Sequence, residues 1–169
     1  MVAFDQAVLP HLDAAYNLAR WLARSDQDAE DITQEACLRA FKYWKSFSGR
    51  DCRSWLLAIV RNTFYSWLRQ RSVQPVLTDD GEIDDTADSV ADPEMALIQN
   101  VDRNTLRAAL EHLALEFREA IVLREMDGLS YKEIADIAGV PIGTVMSRLA
   151  RARKQLQIYL TKTATENYL

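Results

Sequence analysis

The chain has 169 residues, 49% hydrophobic and 27% charged, with a formal net charge of −5, which is room for one or two cored domains. No apolar run approaches the ~20 residues that cross a bilayer. The start, MVAFDQAVLPHLDAAYNLAR, lacks the basic and apolar segments of a signal peptide, and two cysteines, Cys37 and Cys52, make no disulfide framework. Membrane-inserted and secreted classes are set aside, and a cytoplasmic location is the expectation.

Val8, Leu12, Ala15, Leu18, Ala19 and Leu22 recur on one face between about Phe4 and Ala23. They predict a helix with Pro10 in or near its first turn. Ser25 to Asp28 reads as a turn and cap for a second helix, Ala29 to about Trp44. There Ile32, Ala36, Ala40 and Trp44 share one face, with Phe41 beside them, while Asp31, Gln34, Glu35, Leu38, Arg39 and Lys42 lie elsewhere on the surface. Leu38 among these charges is either an isolated exposed leucine or the apolar centre of a docking face.

Lys45 to Asp51, KSFSGRD, is a short loop marked by Ser, Gly and Asp. A third helix is predicted from Cys52 to Arg71, with Trp55, Leu56, Ile59, Val60, Thr63, Phe64, Trp67 and Leu68 at core-facing spacing. Arg50, Arg53, Arg61, Arg69 and Arg71 stand against Asp51 alone, with Tyr65 and Trp67 among them. Arginines interleaved with aromatics suit single-stranded nucleic acid, whose bases stack while its phosphates take the cations. The same aromatics also serve a core. Trp55 and Phe64 are read that way, and Tyr65 stays open between the two.

The acid is concentrated in one place. Between Ser72 and Asn100 stand eight carboxylates (Asp79, Asp80, Glu82, Asp84, Asp85, Asp88, Asp92, Glu94) and no Lys or Arg. Outside that segment 20 basic residues face 17 acidic ones, so the negative total hides two mildly basic halves. Ser72 to about Pro93 reads as a flexible, self-repelling linker. Helical pattern resumes near Pro93-Glu94 and runs through Leu97, Val101, Leu106, Ala109, Leu110 and Leu113. After a break at Ala114 to Glu116, FREAIVLREMDG forms a shorter helix.

Leu129 to Gln155 then reads as a helix-turn-helix. Gly128 ends the preceding helix, Ser130 and Glu133 have capping-box spacing, and Ile134, Ala135 and Ile137 point inward. Gly139 makes the turn and Pro141 opens the second helix. On that helix Ile142, Val145, Leu149, Ala152 and Leu156 form an apolar stripe, and Thr144, Ser147, Arg148 and Arg151 form a different face. Hydroxyls and guanidiniums on one face suit a major groove; a merely solvated basic face is the bland alternative. After Leu160 the tail TKTATENYL has no periodicity and is expected to fray.

No strand signal occurs, so the expected fold is all-α: two small helical domains joined by an acidic flexible linker. There is no P-loop, GxGxxG, GxSxG or HExxH, and no CxxC or HxxxC pair beside His11 and His112. The chain is therefore expected to be no enzyme and to need no cofactor or metal.

A tryptophan-bearing helical domain, an acidic linker and a C-terminal helix-turn-helix together resemble the extracytoplasmic-function (ECF) class of bacterial sigma factors. The resemblance runs through Asp28-Ala29-Glu30-Asp31-Ile32-Thr33-Gln34-Glu35, Arg53-Ser54-Trp55-Leu56 and Leu68-Arg69-Gln70-Arg71. It continues through Phe117-Arg118-Glu119, Val122-Leu123-Arg124 and Gly128-Leu129-Ser130-Tyr131-Lys132-Glu133-Ile134-Ala135, then Gly139-Val140-Pro141, Gly143-Thr144-Val145 and Ser147-Arg148-Leu149. It implies region 2 at 1–71, a linker at 72–93, region 4 at 94–160 and a tail at 161–169. It also implies a dissociable polymerase subunit that reads −35 and −10 promoter elements and helps to melt the latter.

In that frame Asp31, Gln34, Glu35, Leu38 and Arg39 would meet the β′ clamp of core RNA polymerase. Ser46, Phe47, Ser48, Gly49, Arg50 and Asp51 would capture a flipped −10 base. Arg53, Arg61, Asn62 and Tyr65 would hold the separated strand, and Pro141, Gly143, Thr144, Ser147, Arg148 and Arg151 would read the −35 element. The β flap and an anti-sigma factor are further implied partners, with a monomer when free. The acidic linker would thread the polymerase channel towards the RNA exit. Two positions depart from the family pattern: Met146 stands where many members carry a basic residue, and Phe64-Tyr65-Ser66-Trp67 is unusually aromatic. The competing reading is a stand-alone helix-turn-helix regulator, which leaves the N-terminal half unexplained.

Overall fold

The computed structural model describes residues 2–49, 51–71 and 102–167, and all regular structure among them is helical. The linker, the helix start at Pro93-Glu94 and Arg50 lie outside the described residues.

The N-terminal half is a bundle of α1 (Phe4–Val8), α2 (Leu12–Ala23), α3 (Asp26–Tyr43) and α4 (Cys52–Arg71). Pro10 divides what the sequence presents as one helix. Lacking an N–H, it sits in a 3₁₀ turn, Leu9–His11, between α1 and α2. Leu18, Ala19 and Leu22 of α2 close on Ile32, Ala36 and Ala40 of α3 and on Leu56, Leu57, Val60 and Phe64 of α4. The helix α3 begins three residues earlier than expected, because Ser25 is its cap and accepts from Asp28 N at 3.3 Å. Phe41, beside the buried stripe, turns outward and is 67% exposed. The bounds of α4 are those the sequence predicts.

The C-terminal half consists of α5 (Arg103–His112), α6 (Leu115–Ile121), α7 (Tyr131–Ala138) and α8 (Ile142–Asn167). Asp102 caps α5, accepting from Thr105 N at 2.9 Å. Between α6 and α7 the chain makes one π-helical turn, Val122–Met126, in which Asp127 N reaches back to Val122 O at 3.2 Å. The expected tail does not fray at Leu160. The helix α8 continues to Asn167, with no Gly or Pro to stop it and with Thr163 and Thr165 hydroxyls donating to the carbonyls of Tyr159 and Thr161.

The two halves pack against each other, α2 on α6 and α4 on α7, and their buried apolar side chains form one continuous core. Arg24 closes α2 in the left-handed conformation, φ 62°, and its guanidinium donates to the Glu111 carbonyl of α5.

Candidate nucleic-acid interface

The helix-turn-helix is built as its residues predict. Ser130 Oγ accepts from Glu133 N at 3.1 Å, and the Glu133 carboxylate accepts from Ser130 N at 3.2 Å, which satisfies both ends of the capping box. Gly139 ends α7 at φ 68°, a value that a Cβ disfavours. Pro141 O receives the first N–H groups of α8, from Thr144 at 3.0 Å and Val145 at 3.3 Å. Val145, Leu149, Ala152 and Leu156 are buried against α6 and α7. Ile142 is not, contrary to the predicted stripe, because it begins the helix before the helix meets the core.

On the far side of α8, Pro141 and Gly143 are exposed and Thr144, Ser147 and Arg151 are half-buried. Arg148 leans back towards Glu116 of α6 at 3.7 Å. Beside these runs a second row, Ile142, Met146 and Ala150, spaced four apart, apolar and exposed.

The predicted loop and α4 residues divide into three fates. Ser46, Ser48 and Gly49 are exposed, whereas Phe47 is half-buried in an aromatic nest. Its ring stacks on Trp44 (centroids 5.4 Å, 22° between planes) and lies 4.6 Å from Trp55. Asp51 works as the cap of α4: its carboxylate accepts from Ser54 N at 3.2 Å and from the Ser54 hydroxyl at 2.6 Å. The hydroxyl bond is the main reason its carboxyl sits below the usual range. Asn62 is exposed, and Arg53 is half-buried.

Arg61 and Tyr65 are engaged from across the molecule. The Glu119 carboxylate of α6, 2% exposed, accepts from Arg61 Nε through one oxygen and from the Tyr65 hydroxyl at 2.9 Å through the other. The Arg61 guanidinium also lies 4.5 Å over the Tyr65 ring. Burial and the Glu119 charge push the Tyr65 phenol well above its ordinary value. Both oxygens of one buried carboxylate are thus spent on α4.

Arg118, the preceding residue, points the other way. It donates to the carbonyls of Trp21 (2.7 Å) and Leu22 (3.3 Å) at the open end of α2, and to Leu113 O at 3.0 Å. These α2 carbonyls have no successor in their helix, so a guanidinium is a fitting partner. Burial, then the neighbouring Arg24 charge, pulls its pKa down to about 10. Asp127, after the π turn, is a third inward charge. Its Oδ2 is buried without a hydrogen-bond partner, and burial raises its pKa to about 6 although the Arg53 charge lowers it. The sequence reading assigned no function to Glu119 or Asp127. The available signal was the adjacent opposite charges inside the otherwise apolar run FREAIVL.

The predicted docking face stands open on α3. Asp31, Gln34 and Glu35 are exposed, Leu38 is 66% exposed, and Arg39 pairs with Glu35 at 3.2 Å. Phe41, also exposed, extends the apolar part of this face. Among the described residues there is no cluster of His, Cys, Asp and Glu fit to hold a metal. Nor is any helix long and apolar enough to cross a membrane.

The chain matches the family descriptions "Sigma-70 region 2" over residues 7–73 and "Sigma-70, region 4" over residues 103–156. It is 36% identical over 98% of its length to the ECF RNA polymerase sigma factor SigE of Mycolicibacterium smegmatis, of which it spans 65%. It is 34% identical over 76% of its length to the ECF RNA polymerase sigma-E factor of Escherichia coli, of which 72% is covered. Among solved structures it resembles the sigma factor RpoE of Bartonella quintana, crystallised with the anti-sigma factor NepR. That likeness has a TM-score of 0.74 and 34% identity, and covers 94% of this chain and 96% of that one.

Proposed function

The chain belongs to the extracytoplasmic-function family of RNA polymerase sigma factors, and we propose that it directs promoter-specific initiation by dividing the work between its halves. Family membership sets aside the stand-alone regulator. The N-terminal half docks on core polymerase through Asp31, Gln34, Glu35, Leu38 and Arg39. Its α4 side takes the −10 strand through Arg53, Arg61, Asn62 and Tyr65, with the 46–51 loop capturing a base. The helix α8 enters the −35 major groove with Pro141, Gly143, Thr144, Ser147, Arg148 and Arg151 towards DNA. The single observation that carries this reading is a helix-turn-helix joined in one chain to a helix face of exposed carboxylates around an exposed leucine, since a dimerising repressor has no use for the second.

The mechanism is binding and strand capture, with no bond chemistry. Each contact is modest, and rigid mounting on polymerase makes the second effectively intramolecular. Bidentate arginine contacts read guanine, while the exposed Ile142-Met146-Ala150 row offers apolar contact to thymine methyls. The setting is the cytoplasm, where polymerase and promoter are. The resemblance to a sigma factor crystallised with an anti-sigma factor supports a protein inhibitor as regulator.

The test is run-off transcription with purified bacterial core polymerase on a library of random promoter fragments. The expected result is selective transcripts that share two upstream motifs about two helical turns apart, given ~10 base pairs per turn. Sequence-specific binding of the chain alone, with no core-dependent transcripts, would sink the proposal.

A further inference from the structure

Two of the side chains that α4 offers to a melted strand are not free in this molecule. Glu119 holds Arg61 and Tyr65 together through its two oxygens, and Asp127 sets a second carboxylate in the field of Arg53. An arginine and a phenol thus meet a carboxylate from the −35 half, where a DNA strand would bring phosphates. The Arg61 side chain is 18% exposed, so a strand cannot reach it without displacing Glu119. We infer that Glu119 is a built-in substitute for the promoter strand: it latches the −35 half onto the −10 surface, and single-stranded DNA must compete with it for Arg61 and Tyr65. The inference rests on the proposed −10 role of α4.

Three further observations fit a latch that opens. First, the contact is charged at its centre, and a buried ion pair contributes little net stability because desolvation offsets its attraction. Second, the halves do not seal along their whole border. A cleft of about 520 Å³ lies between Asp51, Ser54 and Trp55 on one side and Ser130, Lys132 and Asp136 on the other. Third, Asp127 keeps an orphaned buried oxygen in the closed form, a penalty that opening relieves. Closing also leaves the α3 docking face untouched, since Leu38 and Phe41 remain exposed. A closed chain can therefore still meet polymerase before it meets DNA.

The test uses the full chain without polymerase and a fluorescent random-sequence pool of single-stranded DNA, read by anisotropy, with small-angle scattering on each protein. If closed molecules dominate, apparent affinity is reduced by the fraction that is open, so Glu119→Gln should bind about tenfold tighter and scatter as a larger particle. Glu119→Asp keeps the charge but shortens its reach to Arg61 and Tyr65, and it alters no side chain offered to the strand. It should shift both readouts the same way, and it decides the matter if Glu119→Gln does not fold. Neither variant binding tighter, while Arg61→Ala binds weaker, would overturn the latch and leave the −10 assignment standing. If Arg61→Ala binds like the parent even in the Glu119→Gln background, the −10 assignment falls and the latch with it.

Discussion

The N-terminal half presents two working faces in opposite states. On α3 the residues proposed to dock on polymerase stand open around Leu38. On α4 two of the residues proposed to bind the strand, Arg61 and Tyr65, are held by Glu119, while Asn62 stays exposed. Both faces belong to one rigid bundle, so the difference comes from what the C-terminal half covers. An open face can be engaged first by diffusion; a covered one waits for a partner that outcompetes its cover. On the proposed roles of the two faces, this contrast orders events: polymerase through α3, then DNA through α4.

The sharpest way to break the contrast is to damage the open face alone. Leu38→Asp should cost core binding about 2–4 kcal/mol, as for a residue at the centre of an interface. Competition for labelled core polymerase would measure this, with single-stranded DNA binding by the free chain unchanged. Damage to the clamp that Arg118 makes on the carbonyls of Trp21, Leu22 and Leu113 should instead cost stability. Arg118→Ala leaves carbonyls of α2 and Leu113 without their donor, and about 2–3 kcal/mol of folding stability should be lost in urea unfolding. A loss confined to the C-terminal half, with α2 unaffected, would contradict the clamp.

Smaller effects sharpen the picture. Arg148→Ala and Arg151→Ala should each relax −35 selection by about 1–3 kcal/mol per lost base contact, read from transcripts of a promoter library. Asp127 gives a pH signature. Its folded pKa of about 6 lies above the ordinary 3.8, so the folded chain keeps a proton that the unfolded chain releases. That stabilisation is complete below pH 3.8 and is lost as pH rises through 6. Melting temperature should fall across this window in the parent and stay flatter, and higher at pH 7, in Asp127→Asn. The smallest effect belongs to Met146. Replacing −35 thymines by uracil should weaken the parent more than Met146→Ala; equal losses would remove Met146 from the readout.

Periodicity made the faces of α2, α4 and α7 legible, because burial there repeats with the helical turn. Capping chemistry placed Ser130, Glu133 and Gly139 for the same local reason. The exposure of Phe41 was not legible, because its position adjoins the buried Ala40 without sharing its direction. The continuation of α8 was missed because Thr163 and Thr165 bond back to their own helix, which composition does not reveal. The candidate site was legible as residue types on exposed faces. What escaped was the partnership of Arg61 with Glu119, since no local pattern links positions that far apart. A buried glutamate next to a buried arginine is visible as an anomaly only when one asks where each charge goes.

The π turn at Val122–Met126 acts as a phase setting. It lies between the two residues that grip the N-terminal half, Arg118 and Glu119, and the helix-turn-helix proposed to face DNA. One residue contributes about 100° of rotation and 1.5 Å of rise in an α-helix. Deleting one residue here to restore α geometry would therefore re-aim everything downstream while leaving the upstream grip in place. The angle at which this chain presents α8 is then a property of a single surplus residue, and insertion or deletion at that turn could retune it without any change to a DNA-facing side chain.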